Sequence, residues 1–254
     1  MKKILYSFLV LVAVLFVFIT IKNHQSTPAS KTASTTQQAT PKKTVAATFN
    51  KAQFSLTDPT SMWVVVNKRH ALQPKNYVPN DLVFPDVPLR VPGNESMQVR
   101  KPTADALVAL FAGAKQAGLT LMLSSGYRSY TYQVGLYNGY VASSSVAEAD
   151  KTSARPGFSE HQTGLAADIE PATKTCEVET CFKDTPEGQW LAANAYKYGF
   201  IIRYAADKVA VTGYDYEPWH IRYIGTDLAA EMHSKGIETL EEFFTVSGGA
   251  TYAN

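Results

Sequence analysis

An uncharged, almost wholly apolar run at residues 4–21 divides the chain before any fold is considered. Lys2 and Lys3 precede the run, and Lys22 closes it. Its length is close to the ~20 residues that span a bilayer as a helix, and it exceeds the apolar core of a typical cleaved signal. Because two lysines come first, the positive-inside tendency places the following chain outside the cytoplasm. We therefore expect a membrane anchor at residues 1–22, with a cleaved signal as the alternative.

Residues 23–53 are predicted to be a flexible linker. This stretch consists mainly of Ser, Thr, Ala, Gln and Lys, with no acidic residue and almost no large apolar one. Such a segment buries too little surface to offset its conformational entropy. A soluble spacer is preferred over a segment bound to anionic lipid or polymer. The folded domain is then expected at residues 54–254, on the extracytoplasmic face of the membrane or secreted if the signal is cleaved.

Apolar periodicity after residue 54 mixes helices and strands, without a second linker or an evident repeat. One helix is predicted where apolar residues recur at helical spacing between Thr103, as N-cap, and Gly118, as a stop. The other predicted helices are SYTYQVGLYNGYV, TPEGQWLAANAYKYG and TDLAAEMHSKG, and the predicted strands are LTLMLSSGYRS, FIIRY and EPWHIRYIG. Because helices and strands do not strictly alternate, we expect an α+β fold, a single compact domain with a small mixed or antiparallel sheet flanked by helices.

The chain has two cysteines, Cys176 and Cys181, in the polar stretch TCEVETCF. In an oxidising compartment such a close pair typically forms a disulfide. A metal role is disfavoured because the pair lacks Cys-x-x-Cys spacing and has no neighbouring Cys or His. We therefore expect a disulfide that holds this loop.

The stretch SEHQTGLAADIE holds half of a possible metal site, with His161 and Asp168 on either side of Gly164. Among the five histidines, His233 lies in the last turn of a predicted helix, where a positive group is favoured. His70 lies beside two cations and is interpreted as structural. Neither is a candidate ligand.

A possible second half of the site lies in YDYEPWHIRY, where His220 follows Glu217 by three residues. Pro218 excludes the helical geometry of the His-Glu-x-x-His metalloproteases. A proline that enters a strand can still turn both side chains toward one cleft. For each of these residues taken alone, an ordinary hydrogen-bonded structural role remains the alternative.

Two imidazoles and one carboxylate, with a fourth position open to water, are typical of catalytic rather than structural zinc sites. Zinc lowers the pKa of a bound water and polarises a carbonyl. A carboxylate that is not a ligand then takes the proton and returns it to the leaving amine. Asp168 fits the ligand role because its neighbours in GLAAD are small, and Glu217 fits the role of base.

The combined motifs resemble those of a known family. Two segments are similar to the paired signature of the VanY-type zinc D,D- and L,D-carboxypeptidases, the LAS metallopeptidases: Ser159-x-His161-x-x-Gly164-x-Ala166-x-Asp168 and Glu217-x-Trp219-His220. SSGYRSYTYQ looks like a third motif of that family, and NKRHALQPKNYVPNDLV resembles the segment that opens its catalytic domain. The resemblance covers residues 63–245.

The resemblance implies a role for each matching residue. His161, Asp168 and His220 would bind Zn²⁺, and Glu217 would be the general base. Arg128 would contact the scissile carbonyl or the terminal carboxylate of the peptide, and its planar, permanently charged guanidinium suits either task.

Four further positions are implied as substrate-binding residues. Gln133 and Ser159 match positions that would hold the substrate carboxylate. Tyr127 and Trp219 would line the pocket, with core packing as the alternative for each.

The implied function is a zinc carboxypeptidase that removes the terminal D-alanine from peptidoglycan stem peptides by direct attack of water, without an acyl-enzyme. The absence of a Ser-x-x-Lys pair from the chain agrees with this mechanism. The alternatives are a stem endopeptidase, a D-Ala-D-Ala dipeptidase, and a non-catalytic zinc-stabilised wall-binding module. The presence of Glu217 argues against the last, because a structural zinc needs no base.

The expected partners are the stem peptides and, through the N-terminal segment, the membrane. The net charge of +2 gives no reason to expect a nucleic-acid partner. We expect a monomer.

Overall fold

The computed structural model describes residues 49–253. The predicted anchor and nearly all of the predicted linker lie outside these residues. Within residues 49–253, no helix combines the length and the apolar character needed to cross a membrane. The described residues form a compact α+β domain, as expected.

The centre of the domain is a four-stranded antiparallel sheet with strand order β3-β4-β6-β5. Its strands are β3 (Leu121–Ser125), β4 (Ala166–Pro171), β5 (Phe200–Tyr204) and β6 (Glu217–Tyr223). A small second sheet pairs β1 (Leu82–Val83) with β2 (Val99–Arg100), also antiparallel. Both named sheets are therefore antiparallel rather than mixed.

Seven α-helices surround the sheets in the described part of the chain: α1 (Lys101–Gln116), α2 (Tyr130–Ser143), α3 (Val146–Thr152), α4 (Pro186–Asn194), α5 (Val209–Thr212), α6 (Thr226–Lys235) and α7 (Leu240–Phe244). The four predicted helices correspond to α1, α2, α4 and α6. The prediction of Thr103 as an N-cap was wrong, because the helix begins two residues earlier, at Lys101, with a proline in its first turn. Proline is common at that position because its fixed φ suits the helix and because an N–H there would have no partner within the helix.

Helix α1 packs its apolar face against one side of the sheet. Leu107 and Leu110 of α1 are fully buried in one cluster with Leu123, Ile169 and Ile221 of the strands. Because side chains alternate along a strand, the residues next to these in sequence point to the opposite side. That side of the sheet carries the polar groups described below.

The two cysteines are joined as predicted. A disulfide links Cys176 to Cys181 in the loop that follows β4. Backbone φ angles are positive at three residues of this loop that are not glycine, Lys174, Cys176 and Val178. A positive φ is uncommon for residues that carry a Cβ atom, and it is rarer still for a β-branched residue such as Val178.

Candidate active site

The three predicted metal ligands converge on the polar side of the sheet. Asp168 of β4 lies directly opposite His220 of β6 in the strand register. The Oδ1 atom of Asp168 is 3.3 Å from Nδ1 of His220 and 3.4 Å from Nε2 of His161. One potential ligand atom from each residue lies within 4.8 Å of the other two. All three side chains are almost fully buried.

His161 is placed by the turn that precedes β4. It lies in a short 3-10 helix, Glu160–Thr163, that ends at Gly164, whose φ of 68° is left-handed. The Nδ1 atom of His161 is 2.6 Å from the carbonyl oxygen of Gly126. Because a carbonyl accepts only, Nδ1 carries the proton and Nε2 is left with a free lone pair directed toward Asp168.

Glu217 reaches the same centre because β6 is irregular. In a regular strand, residues three apart point to opposite faces. The pairing of β5 with β6 shifts register between Ile202 and Tyr204, next to Pro218. With this irregularity, the Glu217 Oε2 atom lies 3.4 Å from Nδ1 of His220. The prediction that a proline at the strand entrance turns both side chains into one cleft agrees with this geometry.

Arg128 lies just beyond the end of β3 and borders the centre. Its Nε donates to the hydroxyl of Ser125 at 2.9 Å, and its Nη2 lies 2.5 Å from Oδ2 of Asp168. The side chain is 20% exposed, so the guanidinium is held on one edge and open to the cavity on another. A fixed cation in this position can donate to a substrate oxygen.

Burial and charge set the protonation of these groups. Burial and the nearby Arg128 lower the pKa of His161 to about 4. Burial alone would raise the pKa of Asp168, but His161 and Arg128 hold it well below its usual range. Burial raises the pKa of Glu217, although its hydrogen bond to His220 opposes the shift. Burial would lower the pKa of His220, but contacts with the carboxylates of Asp168, Glu160 and Glu217 raise it well above its usual range. The two imidazoles are thus shifted in opposite directions, beside an ionised Asp168 and a Glu217 of increased basicity.

The donor set fits a divalent cation. Asp168 Oδ1 is buried without a hydrogen-bond partner among residues 49–253, although two imidazole nitrogens point toward it. A buried carboxylate oxygen without a donor is costly unless a cation satisfies it. Two imidazoles and one carboxylate are ligands that zinc accepts.

The centre lies at the wall of a cavity of about 720 Å³. The cavity is also lined by Arg128, Gln133, Ser159, Glu217 and Trp219. The predicted site residues from three separate motifs are thus brought to one cavity.

Two of the predicted substrate contacts differ from expectation. Tyr127 is only 3% exposed and does not line the cavity. Core packing, the alternative interpretation, describes its buried side chain, and its backbone N–H donates to the carbonyl of Gln98. Gln133 lines the cavity, but its Nε2 donates to the carbonyl of Ala154 at 2.7 Å, and its buried Oε1 has no partner among residues 49–253. Because Nε2 also donates to the hydroxyl of Ser153 at 3.3 Å, the amide has no free donor for a substrate carboxylate.

Sequence reasoning missed a buried charged cluster that adjoins the centre. Glu160 bonds to both Arg203 and Arg222, and Arg203 also pairs with Glu241. All four side chains are at most 2% exposed. The available signal was an arginine inside each of two apolar strands, FIIRY and EPWHIRY, because buried strands carry charge only when it is paired.

Comparison with known proteins supports the motif-based resemblance. Residues 96–226 match the VanY family, described as D-alanyl-D-alanine carboxypeptidase. The chain belongs to the VanY family. It is 44% identical over 193 residues to YodJ of Bacillus subtilis (strain 168), which is named as a carboxypeptidase, across 75% of this chain and 69% of YodJ.

Solved structures of VanY-like enzymes share the fold. The chain is similar to the LdcB LD-carboxypeptidase, with a TM-score of 0.70 and 43% identity over 75% of this chain and 89% of LdcB. It is also similar to a mutant of the vancomycin-resistance D,D-pentapeptidase VanY, solved in complex with Zn(II), with a TM-score of 0.59 and 29% identity over 71% of this chain and 97% of that protein.

Proposed function

We propose that this VanY-family protein is a zinc-dependent carboxypeptidase that removes the C-terminal D-alanine from peptidoglycan stem peptides. The observation that carries the proposal is the convergence of His161, Asp168 and His220 beside Glu217 and Arg128 in one cavity. A wall-binding module would have no use for a buried base next to its metal ligands.

His161, Asp168 and His220 would hold the zinc ion, through one nitrogen of each imidazole and the partnerless Asp168 Oδ1. Zinc in this position would supply Lewis acidity to the scissile carbonyl and to the attacking water. The related D,D-pentapeptidase VanY was solved in complex with Zn(II), which supports the choice of metal.

The protein's own groups would carry the proton and the charge. Glu217 would accept the proton of the attacking water at Oε2 and donate it to the amine of the departing D-alanine. Its increased basicity, caused by burial, suits this exchange. Arg128 would donate to the carbonyl oxygen as negative charge develops there. Neither step forms a covalent bond to the protein.

The tetrapeptide, which ends in a single D-alanine, is proposed as the preferred stem. This choice is supported by the greater similarity to the LdcB LD-carboxypeptidase, 43% identical, than to the D,D-pentapeptidase VanY, 29% identical. The pentapeptide ending in D-Ala-D-Ala is the second candidate. Location at the extracytoplasmic face of the membrane is proposed from the apolar run at residues 4–21 alone.

The full chain would be incubated with muropeptides ending in D-Ala-D-Ala or in one D-alanine, and the products followed by mass spectrometry. Loss of one alanine that a chelator abolishes and zinc restores is the expected result. Comparison of the two stems identifies the preferred substrate. Cleavage inside the stem would instead support an endopeptidase, and a zinc-loaded protein that cleaves neither stem would support a wall-binding module.

A further inference from the structure

A buried carboxylate faces the far side of His220. While Nδ1 of His220 points to Asp168, its Nε2 lies 3.6 Å from Oε2 of Glu160. The side chain of Glu160 is fully buried and that of His220 is 4% exposed, so water does not compete for this contact. Glu160 and Asp168 therefore lie beside different nitrogens of the same imidazole.

Glu160 Oε2 and His220 Nε2 are each other's available partners. Neither atom has a hydrogen bond to any other group in the described part of the chain. The other carboxylate oxygen, Oε1, already accepts from Arg203 Nε and Arg222 Nη1, each at 2.8 Å. Because an unpaired buried polar atom is costly, a movement of a few tenths of an ångström that closes this contact is favoured.

Two arginines define Glu160 as an acceptor. Arg203 and Arg222 both donate to its Oε1, each at 2.8 Å, and a carboxyl group between two permanently charged guanidinium groups is a carboxylate. An ionised carboxylate can only accept hydrogen bonds. The proton in a contact between Glu160 and His220 must therefore come from Nε2 of the imidazole.

We propose that Glu160 is a positioning residue that accepts the Nε2 proton of His220 and thereby leaves Nδ1 free to bind the metal. This inference rests on the zinc site of the proposed function. His161 is held in a comparable way, because the Gly126 carbonyl accepts from its Nδ1 and leaves its Nε2 facing the centre. In His220 the two nitrogens exchange these roles. Carboxylates that orient a metal-binding histidine in this way typically change metal affinity about 10- to 100-fold when altered.

Glu160→Gln tests the inference because it preserves shape while replacing one acceptor with a donor. The amide oxygen would stay toward Arg203 and Arg222, which only donate. The amide NH₂ would then face Nε2 of His220 and favour the tautomer that carries its proton on Nδ1. We expect the zinc affinity of the full chain to fall by about 10- to 100-fold, measured by competition with a chromophoric chelator.

Glu241→Gln is the matched control. Glu241 also forms buried bonds to Arg203, at 2.7 and 2.9 Å, so its substitution disturbs the same charged cluster. Its described hydrogen bonds go to Arg203 and to Asn67, and none goes to His220. We expect Glu241→Gln to lower the unfolding midpoint as Glu160→Gln does, while zinc affinity stays within about twofold of wild type, well below the smallest change expected for Glu160→Gln.

A spectroscopic readout makes the test independent of whether the variants fold. In zinc-loaded, ¹⁵N-histidine-labelled wild type, long-range ¹H–¹⁵N spectra should show His220 protonated at Nε2 and His161 at Nδ1. A His220 proton on Nδ1, or equal zinc affinity in wild type and Glu160→Gln, would overturn the inference. Wild type that binds zinc and shows Nε2 protonation but cleaves no peptide would contradict the proposed function alone.

Discussion

The rings of His161 and His220 meet edge to face, with centroids 4.8 Å apart and planes at 80°. This perpendicular arrangement directs Nε2 of His161 and Nδ1 of His220 to the same oxygen of Asp168. Each ring approaches from a different element, His161 from a 3-10 turn and His220 from β6. The site therefore depends on a tight turn and a strand register together.

Glu217→Gln should lower the rate of D-alanine release by about 10²- to 10⁴-fold, the usual contribution of a general base. Zinc content should remain at the wild-type level, because Glu217 is not one of the proposed ligands. Steady-state rates and atomic absorption would measure the two effects. Glu148→Gln, on the exposed face of α3, is the control. Retained activity would refute Glu217 as the base, and loss of zinc would show that it acts on the metal site instead.

Arg128→Met should reduce kcat/KM by about 10²- to 10³-fold, the usual effect of removing one donor to a developing oxyanion. Zinc affinity should not fall, because the substitution removes a cation 2.5 Å from Oδ2 of Asp168. Methionine retains much of the side-chain volume, so the cavity wall is preserved. Parallel losses of zinc and of activity would instead mean that Arg128 supports the ligands rather than the substrate.

The ligand triad and the candidate base could be predicted from sequence because each of the four residues carries its own chemical signal. His161, Asp168, Glu217 and His220 are polar residues in otherwise apolar or small surroundings, at spacings that match a known signature. Asp168 and His220 meet because β4 and β6 are neighbours, whereas His161 also needs the turn before β4 and Glu217 the irregularity of β6.

Glu160 could not be predicted in the same way. It adjoins His161, so the local sequence does not separate its role from that of a turn residue. Its burial is made possible by Arg203 and Arg222, which lie 43 and 62 residues away along the chain. The orientation of the Gln133 amide was equally hidden, because it depends on a carbonyl at Ala154 that tertiary folding brings near.

Gly164→Ala should destabilise the protein more than Gly118→Ala does. Both glycines have left-handed φ, 68° and 79°, so both substitutions carry the ~1–2 kcal/mol cost of that conformation. A Cβ at Gly164 would also lie 2.8 Å from Cγ of Arg100, whereas one at Gly118 would meet nothing within 4 Å. Chemical denaturation would give the two free energies of unfolding. Only Gly164→Ala should also weaken zinc binding, since it displaces the turn that holds His161; equal costs would contradict this account.

The disulfide loop offers a test of what shapes the substrate cavity. The cavity wall includes Val178 and Thr180, which both lie between the two cysteines of the disulfide. Glu177 of the same segment is paired with Arg90, which also lines the wall. The loop therefore contributes directly to the surface that a stem peptide would touch.

Replacing both cysteines, in the double variant Cys176→Ser/Cys181→Ser, should cost about 2 kcal/mol of stability, the chain-entropy value for so short a loop. The left-handed backbone at Cys176 and Val178 would then relax toward ordinary angles and draw Val178 away from the cavity. KM for a stem peptide should rise several-fold while kcat changes little, because no hydrogen bond or ion pair among residues 49–253 joins the loop to Glu217 or the metal ligands. A reductant should likewise raise the KM of the wild-type protein and leave the KM of the double variant unchanged. An unchanged KM in the double variant would mean that the peptide binds along the α2 side of the cavity and does not reach the loop.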